Sequence, residues 1–541
     1  MVLKNKFKTA FAGLLVALLT VGCNGNGGTS TGGTRPGGNP NNSSPITADD
    51  ILSQVAHDLK VEDDEPLFEE EVELRVWSII GDPDKAIQEK LLRQFNDEFI
   101  GQIQIKYTHV GHFDFYNNLD TTWATERESV PDVLFMHNEK TIEYAAKEYI
   151  WPLDAFVGDE VTGVEFDFTQ TYSNIDRVTQ WRGNRYAIPV DAHGFLTSFR
   201  QDIIKKNELG FDNNTRFIPE SRAEYQSLLE GLRAKADAGE LWTRDINKGA
   251  DHSWKKASKD AFAPSFMQSS DPDGLSALYA NGGTLVDESQ TQVTYHQNKG
   301  FQTYLTDQVD RFNNRLTIDG TSTQLFGVGN IVMFSEGPWY VSQQYDAMYN
   351  NSDLKRAGQL GVTQEDAADP VYSAPYVASH PLDWWTLPEN MGTENAGKWY
   401  GNGHAISITR ECKSLQKIAA ALVFARWYTQ GTDISDAEKH NLTTWCSSGH
   451  IPAWKNIYES DDYKAELAEN MTLRALGNPA DIIAMEGLIN ETTIFSSLGS
   501  ACDSVKTEVK GGSCTHDKAM AILNETATSL QAMLDMLNME F

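Results

Sequence analysis

From about Glu71 onward, short β-branched runs alternate with longer stretches of helical spacing: VELRVWSI, then KAIQEKLLRQFNDEF, then IQIKYTHV, a further helical run, and DVLFM. Parallel strands need long crossover connections, usually helices, so this order predicts βαβ units. The stretch 85–99 sets Ile87, Leu91, Leu92, Phe95 and Phe99 on one stripe, the face expected to cover a sheet. SLQKIAAALVFARWYTQ offers a second such face through Leu415, Ile418, Ala419, Leu422 and Ala425, and the run from His516 to Leu537 is also helical in pattern. No period of about 20 to 50 residues is present, which argues against solenoids.

The chain has 541 residues, 40% of them hydrophobic, enough for a large core and for more than one lobe. Its 76 acidic against 45 basic residues give a net charge of −31, so nucleic acid is excluded as a partner on electrostatic grounds. Part of the excess is local: between Asp49 and Glu73 there are eleven acidic residues and one basic residue, Lys60, as in a solvated spacer. At the start, Lys4, Lys6 and Lys8 precede a small or apolar run from Ala10 to Leu19, too short for a membrane span, and Thr20-Val21-Gly22 leads to Cys23. This resembles the bacterial lipoprotein signal, which implies an exported protein anchored through an acylated Cys23. The Gly, Asn and Ser-rich stretch that follows is expected to act as a flexible leash. Cys412, Cys446, Cys502 and Cys514 are an even set in an exported chain, with Cys502 and Cys514 the local pair expected to form a disulfide. With no C-x-x-C spacing, no metal site and no cofactor are expected.

Signatures of catalysis are lacking. There is no G-x-S-x-G and no H-E-x-x-H, and the P-loop-like run from Gly392 ends in Trp399 where Ser or Thr is needed. His109 and His112 are read as surface or packing residues, and Asp271-Pro-Asp273-Gly274 as a turn rather than a calcium loop. A pair of carboxylates placed for glycoside hydrolysis stays open, because their separation is a matter of three dimensions. Thirteen Trp and nineteen Tyr residues supply flat platforms of the kind that stack on the apolar face of a sugar ring.

Ordered segments from about residue 72 to 465 resemble the family 1 extracellular solute-binding proteins, the group that contains the maltose-binding proteins. VELRVWSIIGDPDK is similar to the family's first strand and the loop bordering its cleft, and VPDVLFMHNEK to its Pro-Asp turn, buried strand and polar ligand-contacting end. Met136 stands where maltose-binding relatives carry an aromatic residue, which points away from a maltose-type pocket. WPLDAF and NRYAIPVDAHGFLTSFRQDII resemble the segment after the second helix and the strand crossing between lobes. ANGGTLVD, FGVGNIVMFSEGPWYVSQQY, WWTLPENMG with GNGHAISITRECKSLQK, and SSGHIPAWKNIYES follow in the family's order.

The resemblance implies an α/β, two-lobed periplasmic-binding-protein fold of type II with a hinge and an interlobe cleft. It implies ligand contacts from Trp77, Asp82, Glu139, Lys140, Asp191, Phe266, Trp339 and Trp399, with Asp191 able to serve the hinge instead. The expected division is a leader over 1–22, a tether over 23–70, a first lobe over 71–190 and 398–440, a second lobe over 191–397, and a helical segment over 441–541 packing mainly on the second lobe. The implied protein is not an enzyme. It is a monomer held at the outer face of a membrane by lipid alone, which captures a carbohydrate and passes it to the permease subunits of an ABC transporter. A lipid-anchored glycosidase or lyase is the alternative.

Overall fold

The computed structural model of the chain describes residues 47–60, 68, 70–82, 84–158, 160–247, 250–266, 273–319, 322–338, 368–373, 376–379, 382–391, 395, 398–430, 440–484 and 486–539. In chain order, strands β1 (Val72–Ser78), β2 (Ile103–His109) and β3 (Val133–His137) lead to a run of three short strands, β4 (Ile188–Pro189), β5 (Asp191–Gly194) and β6 (Leu196–Phe199). β7 (Met333–Glu336) and β8 (Val377–Ser379) follow. Then come β9 (Trp399–Asn402), β10 (His404–Ile408), β11 (Ile451–Pro452) and β12 (Ile482–Ala484).

The first lobe is built on a five-stranded sheet of order β2-β1-β3-β10-β4 among the described residues. β1 pairs in parallel with β2 and β3, as the βαβ pattern requires, and the late strand β10 enters antiparallel against β3, setting Ala405 opposite Met136. The helix Lys85–Glu98 buries Leu91, Leu92 and Phe95, the stripe legible in the sequence. It meets the helix Leu415–Gln430 through edge-on contacts of Phe95 with Phe424 and Trp427, both at 5.2 Å, and the Trp427 indole donates to Glu98 at 2.6 Å. Each such side chain removed from water contributes roughly 1.5–3 kcal/mol.

The second lobe holds the antiparallel sheet β7-β6-β8. Between the lobes lies a sheet of order β11-β5-β9-β12. β4 runs into β5 through Val190 alone, and β9 into β10 through Gly403 alone, so two strands pass side by side from the first-lobe sheet into the central one. That crossing is tight. A Cβ at Gly403 would come within 2.1 Å of the Asp191 carbonyl oxygen, a contact no side chain survives.

The C-terminal segment serves both lobes. The helices Glu491–Lys510 and His516–Met539 form a hairpin on the second-lobe helix Lys299–Asn313, whereas the helix Asn441–Cys446 packs in the first lobe against Lys85–Glu98 and Leu415–Gln430. The disulfide expected between Cys502 and Cys514 is not formed: the four described cysteines are thiols. Cys502 faces inward from its helix with eight residues still to run, roughly 12 Å of rise, while Cys514 sits beyond the turn. A disulfide needs Cα atoms within about 7 Å, which nearness in sequence does not by itself provide. No described helix is long and apolar enough to cross a membrane. The leader and Cys23 lie outside the described residues.

Candidate functional site

At the crossing, Asp191 is fully buried and surrounded by donors. His404 on β10 places its Nδ1 2.9 Å from Asp191 Oδ2, and its backbone N–H donates to Oδ1 at 3.0 Å. His193, two residues along β5, brings Nδ1 to 3.4 Å from Oδ1, and His450, just ahead of β11, brings Nδ1 to 4.0 Å from Oδ2. The Trp445 indole N–H also donates to Oδ2, and its ring lies flat on His450 with centroids 4.8 Å apart and planes 6° from parallel. The far nitrogen of His450, Nε2, meets Asp84 Oδ2 at 3.1 Å. His137 at the end of β3 completes the group, 5.1 Å from His404 and 5.8 Å from His193 between ring centroids.

Burial of these groups is close to complete, so their charges are set by one another. Burial pushes the Asp191 carboxyl up, but its histidine neighbours His404 and His450 outweigh it and hold it well below the usual carboxylate range. Burial drives His193 and His404 down, keeping those imidazoles neutral, while Asp191 and Asp84 together lift His450 against the same desolvation.

Glu139 stands directly over this cluster. It is buried, with Oε1 3.4 Å from His137 Nδ1, and Asn402 of β9 bonds to its side chain. Desolvation raises its carboxyl, yet His137 and Lys140 prevail and bring it down to about 2. Trp77 at the end of β1 is half-buried, and Asp82 in the following loop is exposed. In the second lobe, Phe266 is half-buried against a small aromatic and aliphatic cluster that includes Phe326, Phe334 and Tyr376. Beside it in that lobe, Glu336 closes β7 and is raised by burial, immediately before Gly337-Pro338. Trp339 lies outside the described residues.

Three of the residues expected at the cleft are placed in the frame instead. Asp191 has no exposed surface and belongs to the hinge cluster. Trp399 is 1% exposed, its indole donating to the Asn478 carbonyl at 3.3 Å. The Lys140 ammonium is taken up by Glu143, Glu491 and the Thr492 hydroxyl, a buried ion-pair group that joins the first lobe to the C-terminal segment. Around it, residues 486–492 run from one lobe to the other. Glu486 accepts from the Leu285 backbone at 2.7 Å, and Ile489 donates to Gln290 at 2.9 Å. Gly487 lies so close to Ile142 that a Cβ there would collide at 2.2 Å.

The histidines at 137, 193, 404 and 450 were not anticipated as a group. Each stands alone in sequence, and only the strand crossings bring them together. His137, His404 and His450 share a signal of position, each at the end or start of a short apolar run, while His193 lies within β5.

Two α/β lobes joined by adjacent antiparallel crossings define the two-lobed fold of the MalE-like periplasmic binding proteins. Among solved structures, the chain is similar to the GacH receptor of Streptomyces glaucescens, solved unliganded and with acarbose. The two share 17% identity with a TM-score of 0.59 over 85% of this chain and 98% of that one. The sugar-binding protein MalE of Xanthomonas citri is 13% identical, with a TM-score of 0.59 over 86% and 99%. UgpB of Mycobacterium tuberculosis, in complex with glycerophosphocholine, is 13% identical, with a TM-score of 0.60 over 86% and 99%. No protein-family profile and no curated protein matches the chain.

Proposed function

We propose that the chain is the solute-binding receptor of an ABC importer, taking a carbohydrate between its lobes and releasing it chemically unchanged. The observation that carries this is the paired crossing at Val190 and Gly403, a hinge narrow enough to let two lobes close on a solute. Support comes from structural neighbours of the same shape whose names give sugars as their ligands, including MalE of Xanthomonas citri and a cycloalternan-bound ABC substrate-binding protein of Listeria monocytogenes. Closure transmits binding only if the solute touches both lobes, because a ligand shifts a two-state equilibrium by its difference in affinity for the two states. On the first lobe we assign that contact to Trp77, Asp82 and Glu139, and on the second to Phe266 and Trp339. Asp191, Lys140 and Trp399 hold the frame. Cys23 is assigned as the lipid anchor of an exported monomer, and permease subunits as the partner that reads the closed form.

Thermal-shift screening of the purified protein against mono- and oligosaccharides tests this, since a ligand selective for the folded state raises its apparent stability. A saturable shift with the sugar recovered intact is the expected result. Trp339→Ala then weakens that sugar at least tenfold, about 1.4 kcal/mol, with the fold intact. Shifts confined to glycerophosphodiesters would replace the carbohydrate by that class, and release of new reducing ends from a glycan would replace the receptor by a glycosidase or lyase.

A further inference from the structure

We propose that Asp191, His193, His404 and His450 form a binding site for one divalent transition-metal ion of the zinc class, buried in the hinge. Three imidazoles and a carboxylate are a donor set suited to zinc and its neighbours in the first transition row. The four candidate donor atoms lie within 4.8 Å of one another. A tetrahedral zinc with bonds of about 2.0–2.1 Å sets its donors about 3.4 Å apart. The separations from the two Asp191 carboxylate oxygens to the imidazole Nδ1 atoms bracket that value: 2.9 Å from Oδ2 to His404, 3.4 Å from Oδ1 to His193 and 4.0 Å from Oδ2 to His450.

The surroundings also have the form that metal sites require. A ligating histidine ordinarily hands its second nitrogen to a carboxylate, which fixes the tautomer and turns the lone pair of the first nitrogen inward. His450 does this, with Nε2 on Asp84 and Nδ1 toward Asp191. The carboxylate ligand is itself steadied by the Trp445 indole and the His404 backbone N–H. All four residues are buried, so an ion held there would be shielded from competing water.

The ligands come from three separate passages of the chain through the hinge: Asp191 and His193 on β5, His404 on β10, and His450 at the entry to β11. An ion would therefore tie those passages together at the axis about which the lobes move. It would act as a structural staple, and it would do so whichever solute the cleft takes.

The untagged protein, stripped with a chelator and dialysed against zinc chloride, is expected to retain one equivalent of zinc by elemental analysis. Cobalt(II) chloride in its place is expected to give the intense visible bands of a four-coordinate ion. His404→Gln should lower zinc affinity at least tenfold, and Asp84→Asn, which touches no ligand atom of the ion, tenfold to a hundredfold. Retention well below one equivalent by the wild-type protein overturns the proposal. So does cobalt with only the weak bands of an octahedral ion, or zinc affinity unchanged in both variants. If His404→Gln does not fold, Asp84→Asn and the wild-type cobalt spectrum decide the matter.

Discussion

Two aspartates in this protein are equally buried and differently held. Asp202 in the second lobe receives Arg200 in a two-pronged bond, with Nε and Nη2 each at 2.9 Å, and Arg244 Nε at 2.7 Å. Asp191 in the hinge receives imidazoles and an indole. Both carboxyls are held below their ordinary value in spite of desolvation, the first by guanidinium charge and the second by histidines. Guanidinium is charged at every pH a protein meets, so the Asp202 group has one state. Imidazole can be neutral, charged or bound to an ion, so the Asp191 group has several. The lobe interior is built to be invariant, and the hinge to be conditional.

The sharpest way to break this contrast is Asp202→Ala, which leaves two guanidiniums buried without a counter-charge. We expect a loss of about 3–5 kcal/mol in denaturant unfolding, identical with and without chelator. Asp191→Asn comes next. It keeps one acceptor in place and is expected to cost about 1–3 kcal/mol, with the response of stability to added zinc abolished. A chelator effect of equal size in both variants would erase the distinction between the two carboxylates.

A third carboxylate sharpens the comparison through a gradual slope with pH. Burial pushes Glu486 from its ordinary 4.5 up to about 7, although the Leu285 backbone, the Tyr279 hydroxyl and Arg177 all act to lower it. The folded protein holds this proton over a range where the unfolded chain has shed it. The contribution to stability is therefore complete below about pH 4.5 and is lost as pH rises toward 7, at no more than about 1.4 kcal/mol per pH unit. Glu486→Gln should flatten that slope in melts recorded between pH 5 and 8, roughly the window in question. An unchanged slope would assign it to other groups.

Much of the fold was legible in the sequence because the period of a helix or strand is a local property. The runs at 72–78, 103–109 and 133–137, and the stripe Leu91, Leu92, Phe95, could be read without knowing their neighbours. The site was less legible. Lys140 follows a strand in a polar loop, as a cleft residue would, and nothing local announces that Glu491, 351 residues later, arrives to pair with it. Trp399 and Asp191 have the residue types of ligand contacts but are enclosed by β12 and by the histidine cluster. The part of the chain beyond 466, outside the segments that carry the family resemblance, contributes a strand to the central sheet and two helices to the second lobe. Cys502 and Cys514 teach the same point in reverse, since a short sequence gap is spent along a helix axis.

The strand Ile482–Ala484 and the run 486–492 that follows it bear on how such a molecule moves. A joint made of two adjacent strands can swing, twist and slide. Lengthening the joint with a further strand, and fastening its end to Lys140 on one side and Gln290 on the other, opposes twisting and sliding far more than swinging. Bracing of that kind favours one mode of relative motion, in which surfaces facing each other across the joint keep their register.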